Sequence, residues 1–343
     1  MSAVLVTGGA GYIGSHAVKG LHAAGHTVVV LDNLSAGHRE AVGDALFVTA
    51  DVRDTPKVRA TLRDHDITAV MHFAALLSVS ESVSEPTRYY DCNVRGSLAL
   101  LDAMVAEGVH QFVLSSTCAV YGDRVTAPID ETHPTAPINA YGETKLTVER
   151  ALVHYGRAYG LRSVALRYFN AAGADVEGQI GEDHAPEIHL IPRAIAAARG
   201  GEPLQLFGDD YPTADGTCER DYVHVSDLAS GHLLALDALR EPDDRDGPDA
   251  PDRAAAPPMS RVFNLGTGRP HSVREVVRAV ERVSGLSVPL LPASRRPGDP
   301  AVLFASADRI ADELGWRPAY TSLDAVVETA WRWHQSHPHG FGG

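Results

Sequence analysis

The stretch from residue 3 to residue 32 constrains the fold more than any other part of the chain. A short apolar run, residues 3–7, is followed by Gly8, Gly11 and Gly14 in the spacing G-x-x-G-x-x-G, and then by a helical pattern. A tight turn and a close backbone approach both need residues without a side chain. The N-terminus of the helix then presents backbone N–H groups to a diphosphate. This pattern predicts the first strand, loop and helix of a dinucleotide-binding domain.

The second apolar run, residues 27–31, ends at Asp32, 18 residues after Gly14. A carboxylate at the tip of the second strand accepts hydrogen bonds from ribose hydroxyls and repels a 2′-phosphate. Asp32 therefore favours NAD over NADP. The alternative, a surface aspartate beside an ordinary glycine loop, does not account for strand, glycines, helix, strand and acid in one unit.

Alternating strands and helices continue to about residue 170, which predicts an α/β fold with a Rossmann doubly wound parallel sheet. We expect residues 1–170 to form the NAD-binding domain and residues 171–343 a smaller mixed α/β domain that binds the substrate. Segments around 222–240 and 260–268 are expected to return to the first domain. Residues 241–258, dense in Pro, Asp and Ala, are interpreted as a surface insertion without function.

Several polar or small residues lie where a cofactor or substrate is expected, and two of them, Asp51 and Asn93, have an alternative interpretation. Asp51 could contact the adenine or cap a helix beginning at Thr55. Asn93, inside a helix predicted for residues 86–107, could bind the cofactor or hold a loop, since a buried amide needs partners. Ala74 is small enough for a cofactor to pass closely. Thr117 ends a strand at the sheet edge where ligands bind.

Tyr141 and Lys145 are four residues apart, so on a helix they lie on the same face. A phenol is a poor base at neutral pH, and a fixed ammonium group beside it is expected to lower its pKa. The pair could take a proton from an alcohol while hydride leaves the same carbon. The spacing alone is a weak signal, and it gains weight from the predicted hydride acceptor.

The composition excludes several function classes. The formal net charge of -14 disfavours nucleic acid and anionic membranes as partners. The three cysteines, Cys92, Cys118 and Cys218, match no zinc or disulfide spacing, so no metal site and a reducing compartment are expected. No apolar run long enough to span a membrane and no signal peptide are apparent, which favours a cytoplasmic location.

Longer motifs extend the pattern. They include TGGAGYIGSH at 7–16, AYGETK at 140–145, FGDDYPTADGTCERDYVHV at 207–225, NLGTG at 264–268 and RRPGD at 295–299. With the Tyr/Lys pair, they resemble the extended short-chain dehydrogenase/reductases and, more narrowly, the UDP-glucose 4-epimerases. The likeness runs nearly end to end, and the 207–225 motif is its most specific part.

The resemblance implies a role for particular residues. Tyr141, Lys145 and Thr117 would be catalytic. The cofactor would be held by Gly8, Gly11, Tyr12, Ile13, Gly14, Asp32, Asn33, Asp51, Val52, Phe73, Ala74, Ala75, Asn93, Ser115, Tyr141, Lys145 and Tyr168. The UDP-sugar would be held by Thr117, Tyr141, Asn170, His189, Leu190, Gln205, Phe207, Arg220, Tyr222, Arg296, Asp299 and Leu303. Guanidinium groups suit a diphosphate because their planar forks match phosphate oxygens.

The implied reaction is reversible C4 epimerisation of UDP-glucose and UDP-galactose, with transient hydride transfer to tightly bound NAD and Tyr141 as base and acid. The resemblance also implies a homodimer formed through the helices around Asn93 and Tyr141, and a role in galactose metabolism. Leu303 occupies the position whose bulk controls entry of N-acetylated sugars. Leu77 and His189 depart from the residues that many relatives carry.

Alternatives remain. A sugar-nucleotide dehydratase needs an acid/base pair where this chain has Cys118 and Ala119, and Ala119 also disfavours a UDP-glucuronate decarboxylase. A non-enzymatic NAD-sensing protein is disfavoured by Tyr141 and Lys145 together. A 4-epimerase of UDP-N-acetylglucosamine or of UDP-arabinose or UDP-xylose remains the nearest competitor.

Overall fold

The computed structural model describes residues 3–123, 126–239, 260–296 and 299–342. The predicted insertion at 241–258 therefore lies outside the described residues. The chain divides into two compact units. Unit 1 comprises Met1–Gly122, Thr135–Arg167 and Ala229–Phe263, and unit 2 comprises Asp123–Pro134, Tyr168–Leu228 and Asn264–Gly343.

The first half of the chain forms alternating strands and helices. In order they are β1 (Ala3–Thr7), α1 (Tyr12–Ala23), β2 (Thr27–Asp32), β3 (Leu46–Thr49), α2 (Thr55–Asp64), β4 (Ile67–His72), α3 (Val79–Ser84), α4 (Pro86–Tyr89), α5 (Gly96–Ala106), β5 (Gln111–Thr117), α6 (Ala140–Tyr159) and β6 (Arg162–Tyr168). Short 3₁₀ turns cover Arg39–Val42 and Cys118–Tyr121.

The second half is more mixed. It contains β7 (Asn170–Ala172), α7 (Leu190–Ala198), β8 (Leu204–Phe207), β9 (Glu219–His224), α8 (Val225–Ala238), β10 (Ser260–Leu265), β11 (Pro270–Ser272), α9 (Val273–Ser284), β12 (Leu290–Ala293), β13 (Val302–Leu303), α10 (Asp308–Leu314) and α11 (Leu323–Ser336). A 3₁₀ turn follows at Gly340–Gly342. Each helix in the described ranges is too short or too polar to cross a lipid bilayer.

A seven-stranded sheet organises unit 1, with the strand order β3-β2-β1-β4-β5-β6-β10. The pairs from β3 to β5 are parallel. The order reverses between β1 and β4, which is where doubly wound sheets bind their ligands. The predicted Rossmann fold is confirmed. Its strands are buried on both faces, and their core includes Leu5, Val29, Leu31, Val70, Leu100, Phe112 and Leu114.

The helix predicted for residues 86–107 is interrupted. Residues Tyr90–Arg95 form a π-helical segment between α4 and α5, and Asn93 lies inside it. Hydrophobic periodicity does not reveal such a segment, because one widened turn hardly shifts the apolar positions. π-Helical turns inside helices are frequently found at functional sites.

Unit 2 is built from small sheets and three packed helices. Strand β9 pairs with β7, β11 and β13, and β8 pairs with β12. Helices α7, α9 and α11 share one apolar core, which includes Ile191, Leu204, Val276, Val280, Val326 and Val327. Trp333 is 1% exposed, and Trp331 packs against that core. Both tryptophans are therefore packing residues.

The unit boundaries differ in detail from the expected ones. The change near residue 170 falls at Tyr168, and the returning segment is Ala229–Phe263. Residues Asp123–Pro134 join unit 2, which the order of elements did not reveal. Within unit 2, the backbone N–H of Asn264 donates to Glu131 Oε1 at 2.7 Å and the Asn264 amide donates to Ile129 O at 3.0 Å. These long-range bonds carry no local sequence signal.

Candidate active site

The glycine loop after β1 leaves no room for side chains. A Cβ on Gly8, where φ is +71°, would lie 2.4 Å from Ala74 N, and a Cβ on Gly14 would lie 2.3 Å from Gly8 O. At Gly11, in contrast, the nearest such atom is Gly8 O at 3.4 Å. Gly11 is also the N-cap of α1, and no side chain caps that helix. The loop therefore offers a helix N-terminus that no side chain caps and that is less crowded at Gly11 than at Gly8 or Gly14, which fits the diphosphate of a dinucleotide.

Asp32 stands at the tip of β2 and is 8% exposed. Its carboxylate accepts hydrogen bonds from Ala10 N at 3.0 Å and Leu34 N at 2.8 Å. Burial raises its pKa, and these N–H groups oppose the rise. Because a carboxylate has four acceptor positions, the oxygens retain capacity for ribose hydroxyls. Asp32 thus fits the proposed adenosine ribose and also holds the glycine loop against the strand.

Asp51 does not cap α2, so that alternative is wrong; Asp54 is the cap and accepts from Lys57 N at 3.2 Å. Asp51 instead accepts from Asn33 Nδ2 at 3.0 Å and from the Arg53 guanidinium. The Arg53 hydrogen bonds hold the pKa of Asp51 well below its usual range. The structure therefore joins two predicted adenine-side residues, Asn33 and Asp51.

The remaining predicted cofactor residues in unit 1 differ in position and in exposure. Phe73 N and Ala74 N both donate to Thr7 O, so this segment runs directly beside the glycine loop. The side chain of Val52 belongs to the core, which leaves its backbone for a cofactor. Tyr12 is 9% exposed, whereas Ile13 is half-buried and Ala75 likewise.

Asn93 is 1% exposed, and its observed contacts are those of the loop-holding alternative. Its Oδ1 accepts from Leu76 N at 2.8 Å. Its Nδ2 donates to Leu76 O and to Thr144 Oγ1, both at 3.1 Å. Both amide hydrogens are used, so only one acceptor position is left for a ribose. Its cofactor role stays a prediction.

Helix α6 is positioned to present Tyr141 in its first turn. Asn139 caps the helix, and its Oδ1 accepts from Gly142 N at 2.9 Å. A Cβ on Gly142 would lie 2.5 Å from Ala119 O. The glycine after Tyr141 therefore lets the helix approach the turn that follows Thr117.

Thr117 and Tyr141 are brought together. The Thr117 hydroxyl accepts from Ala119 N at 3.2 Å, and a hydrogen bond from Thr117 to the phenol would lower the pKa of Tyr141. Because Ala119 occupies a lone pair of Thr117, the threonine proton is available to the phenol oxygen. Burial raises the pKa of Tyr141 to about 12, and the Thr117 bond works against that rise.

Lys145 is 4% exposed and its Nζ donates to Ser115 O at 2.8 Å. Burial lowers its pKa to about 8. The expectation that Lys145 lowers the pKa of Tyr141 stays a prediction. Burial of the phenol dominates, and the ammonium is bound to the carbonyl of Ser115.

A buried ion pair supports this edge of the sheet, and sequence reasoning missed it. Glu149, one turn after Lys145 on α6, accepts from Arg167 Nε at 3.0 Å and from Arg167 Nη2 at 2.5 Å. Ser116, next to Thr117, also donates to Glu149. Glu149 and Arg167 are each 6% exposed. The i, i+4 spacing of Lys145 and Glu149 was the available signal, but Arg167 is a long-range partner.

The predicted substrate residues all lie in unit 2, apart from Thr117 and Tyr141. Arg220 pairs with Asp299, and the Arg296 guanidinium lies 3.9 Å from the centre of the Phe207 ring. Asn170 Nδ2 donates to Asp221 O at 3.0 Å. Leu303 pairs with Arg220 in the register of β13 and β9. The structure therefore brings Arg220, Asp299 and Leu303 to one strand edge.

The other predicted substrate and cofactor residues of unit 2 are more varied. Gln205 is exposed on β8, and Leu190 is half-buried at the first residue of α7. Tyr222 is 7% exposed and burial raises its pKa. Tyr168 is 8% exposed at the end of β6. His189 turns its imidazole toward Glu182 and Glu187.

Comparison with known proteins shows the family to which the chain belongs. The sequence profile of the NAD dependent epimerase/dehydratase family matches residues 4–247. The chain is 49% identical over 340 residues to the UDP-glucose 4-epimerase of Halalkalibacterium halodurans, covering 99% of this chain and 97% of that protein.

Two solved structures have similar folds. The UDP-glucose 4-epimerase from Brucella ovis in complex with NAD is 46% identical with a TM-score of 0.90, covering 96% of this chain and 98% of that one. The enzyme from Stenotrophomonas maltophila, with bound NAD and formylated UDP-arabinopyranose, is 42% identical with a TM-score of 0.90, covering 98% and 99%. The chain belongs to the NAD dependent epimerase/dehydratase family and, within it, to the NAD-dependent UDP-glucose 4-epimerases.

Proposed function

We propose that this enzyme interconverts UDP-glucose and UDP-galactose by oxidising and re-reducing C4 of the hexose, with Tyr141 as base and acid. The observation that carries the proposal is the bond from Lys145 Nζ to the carbonyl of Ser115, two residues before Thr117, with Tyr141 one helical turn before Lys145 on α6. Three side chains suited to exchanging the proton of an alcohol are thus held on β5 and α6.

The proton moves through the Tyr141 oxygen. The phenolate accepts the proton of the sugar 4-hydroxyl and returns it after the face of C4 has changed. Thr117 donates to the phenol oxygen, so it stabilises the phenolate more than the neutral phenol. Bound NAD would supply the acceptor and the donor for the C4 hydride, and its positive ring would favour the ionised phenol. Lys145 is available to the nicotinamide ribose while keeping its bond to Ser115.

The residues of unit 2 would bind the nucleotide. Arg220 and Arg296 are proposed for the diphosphate, with Asp299 and Tyr222 nearby in sequence motifs and Phe207, Gln205 and Leu190 at the uracil. Strong contacts to the UDP and weak contacts to the hexose leave the sugar free to present either face. That division suits an epimerase, since one tyrosine must serve both C4 configurations.

The main competitor is a 4-epimerase of another UDP-sugar. Leu303, beside the strand that carries Arg220, supports this alternative. A leucine is intermediate in size, so its bulk does not decide between a hexose and an N-acetylated sugar. The formylated UDP-arabinopyranose bound by the Stenotrophomonas relative supports the alternative of a UDP-pentose substrate.

The purified enzyme should be incubated separately with UDP-galactose, UDP-N-acetylgalactosamine and UDP-xylose, and the epimer ratios measured. We expect UDP-galactose to reach equilibrium with UDP-glucose fastest. Faster conversion of either other sugar would transfer the assignment to the competitor, and conversion of none would favour an NAD-sensing protein.

We further propose a homodimer that uses the helices around Asn93 and Tyr141. Val83 on α3 is 68% exposed, Tyr90 at the π-helical segment 43% and Tyr159 at the end of α6 52%. Exposed apolar groups on one set of helices suit an interface between copies. Light scattering of the purified protein tests this, and a monomer mass at micromolar concentration contradicts it.

A further inference from the structure

Four potential metal ligands converge within residues 182–189 of unit 2. Glu182, His184, Glu187 and His189 each offer one ligand atom, and these atoms lie within 4.8 Å of one another. The expectation of no metal site was based on cysteine spacing alone. This cluster uses imidazoles and carboxylates, so the cysteine argument does not apply to it.

Three of the four contacts between these groups have lengths near the edges of a small coordination shell, and the fourth, between Glu182 Oε1 and His189 Nδ1, is shorter. Glu182 Oε1 lies 3.2 Å from His184 Nδ1, Glu187 Oε1 lies 3.5 Å from His189 Nδ1, and Glu187 Oε2 lies 3.9 Å from His184 Nδ1. A tetrahedral zinc ion with ligands at about 2.1 Å separates those ligands by about 3.4 Å. The four atoms can therefore reach one ion with small side-chain shifts.

The atoms do not satisfy one another by hydrogen bonding. Glu182 is 3% exposed and its Oε1 is in contact with His189 Nδ1. Neither of these two buried atoms makes a hydrogen bond of acceptable geometry within the described residues. The buried Glu182 carboxylate faces the imidazoles of His184 and His189 without well-formed hydrogen bonds, and a cation at the point where the ligands converge would satisfy all of these groups.

The ligands are held by their surroundings. Glu187 Oε1 accepts from Ile188 N at 2.7 Å and His189 N at 2.8 Å, which fixes its carboxylate. The Trp333 indole donates to Glu182 O at 3.3 Å, and a Cβ on Gly181 would lie 2.3 Å from that ring. Outer contacts of this kind orient metal ligands.

We propose that Glu182, His184, Glu187 and His189 bind one Zn²⁺ ion. Two imidazole nitrogens favour zinc over calcium and magnesium, which prefer oxygen ligands. Two carboxylates balance the charge of the ion with both imidazoles neutral. Four protein ligands leave no open position, so the role is structural. Because His189 is the N-cap residue of α7, the ion fixes where that helix begins.

The site adjoins Leu190, which is proposed for the uracil, so its test reads bound metal directly and does not depend on activity. The full-length enzyme, with any affinity tag removed, is treated with EDTA and then given ZnCl₂ alone. We expect one zinc ion per chain by elemental analysis and a melting temperature higher by about 5 °C. Co²⁺ in place of Zn²⁺ should give the strong visible absorption of a tetrahedral site.

His184→Ala should lose the bound zinc and the thermal shift. Glu187→Gln, a milder change, should weaken zinc binding at least tenfold. His271→Ala is the matched control, because His271 Nδ1 lies 3.6 Å from Glu275 Oε2 in a two-residue pair and should not affect zinc. Wild-type protein that binds less than a tenth of an equivalent, or His184→Ala that binds zinc as tightly as wild type, overturns the proposal. Epimerase activity measured on the same samples is reported separately, so failure of the metal site and of the proposed reaction are distinguishable.

Discussion

The side chains proposed for chemistry in unit 1 and those proposed for nucleotide binding in unit 2 are held in different ways. In unit 1, Lys145 donates to a backbone carbonyl and Thr117 accepts from a backbone N–H, and both are buried. In unit 2, Arg220 is paired with a carboxylate and Arg296 lies over an aromatic ring. Main-chain partners fix a geometry, whereas side-chain partners can be exchanged for phosphate oxygens.

This difference teaches which kinetic parameter each unit should control. A preorganised proton-transfer group acts in the transition state, so changing it lowers kcat. A guanidinium that binds a remote diphosphate stabilises ground state and transition state alike, so changing it raises KM. Three substitutions test whether unit 1 controls kcat and unit 2 controls substrate affinity, and a pH experiment tests the burial of Tyr141. They follow from the largest expected effect to the smallest.

Tyr141→Phe should lower kcat by about 10³-fold or more, since it removes the group that carries the proton. Bound NAD and the Kd for UDP should stay as in wild type, because the phenyl ring remains. The measurements are steady-state epimerisation and the NAD released on denaturation. Tyr159→Phe, on the same helix but 52% exposed, is the control. A fully active Tyr141→Phe enzyme would remove the assignment of the base.

Arg296→Met should raise the Kd for UDP about 100-fold, because the charged hydrogen bonds lost to phosphate contribute binding free energy of that size. The kcat at saturating substrate should be nearly unchanged. Isothermal titration with UDP measures the first quantity and saturating kinetics the second. Arg282→Met is the control, since Arg282 pairs with Asp324 on the surface. A loss of kcat with normal UDP affinity would break the division between the units.

Thr117→Val should lower kcat about tenfold, because the phenolate loses a donor while the side-chain volume is kept. Thr117→Ser retains the hydroxyl and should stay near wild type. The ratio of the two kcat values isolates the hydrogen bond. Equal rates for valine and serine would show that Thr117 only packs.

The smallest effect concerns the pKa of Tyr141 in protein stripped of NAD. A phenol with a folded pKa of about 12 and an unfolded pKa near 10 adds stability below pH 10, and that stability is lost as the pH rises through 12. At about pH 11, wild type should lose about 1 kcal/mol of unfolding free energy relative to Tyr141→Phe. Urea unfolding at about pH 8 and 11 measures this. If wild type and Tyr141→Phe lose the same unfolding free energy between these two pH values, the pKa of Tyr141 is not raised in the folded protein.

The sequence predicted well whatever depends on local order. The strands from β1 to β5, the glycine loop, Asp32 and the helix bearing Tyr141 and Lys145 follow from periodicity and from glycine's freedom at positive φ. The π-helical segment around Asn93 was not predictable, because a single i→i+5 turn leaves the apolar pattern almost unchanged.

Long-range partners were out of reach for a different reason. Arg167 meets Glu149 and residues 123–134 join unit 2 only after the chain has folded, and neither contact has a fixed sequence spacing. The direction of the Tyr141 pKa shift also depends on burial, which the Y-x-x-x-K spacing does not reveal. The Glu182–His189 cluster did have a local spacing, but the cysteine spacings that predicted no metal site carry no signal for imidazole and carboxylate ligands.

The bond from Lys145 Nζ to Ser115 O has a consequence for how this site can evolve. The acceptor belongs to the peptide backbone, so every amino acid at position 115 supplies it. The anchor of the lysine is therefore robust to genetic drift at that position, unlike an anchor made of a side chain. Selection at 115 is left to act on other demands, and a saturation library at that position should retain the lysine's placement in every variant that folds.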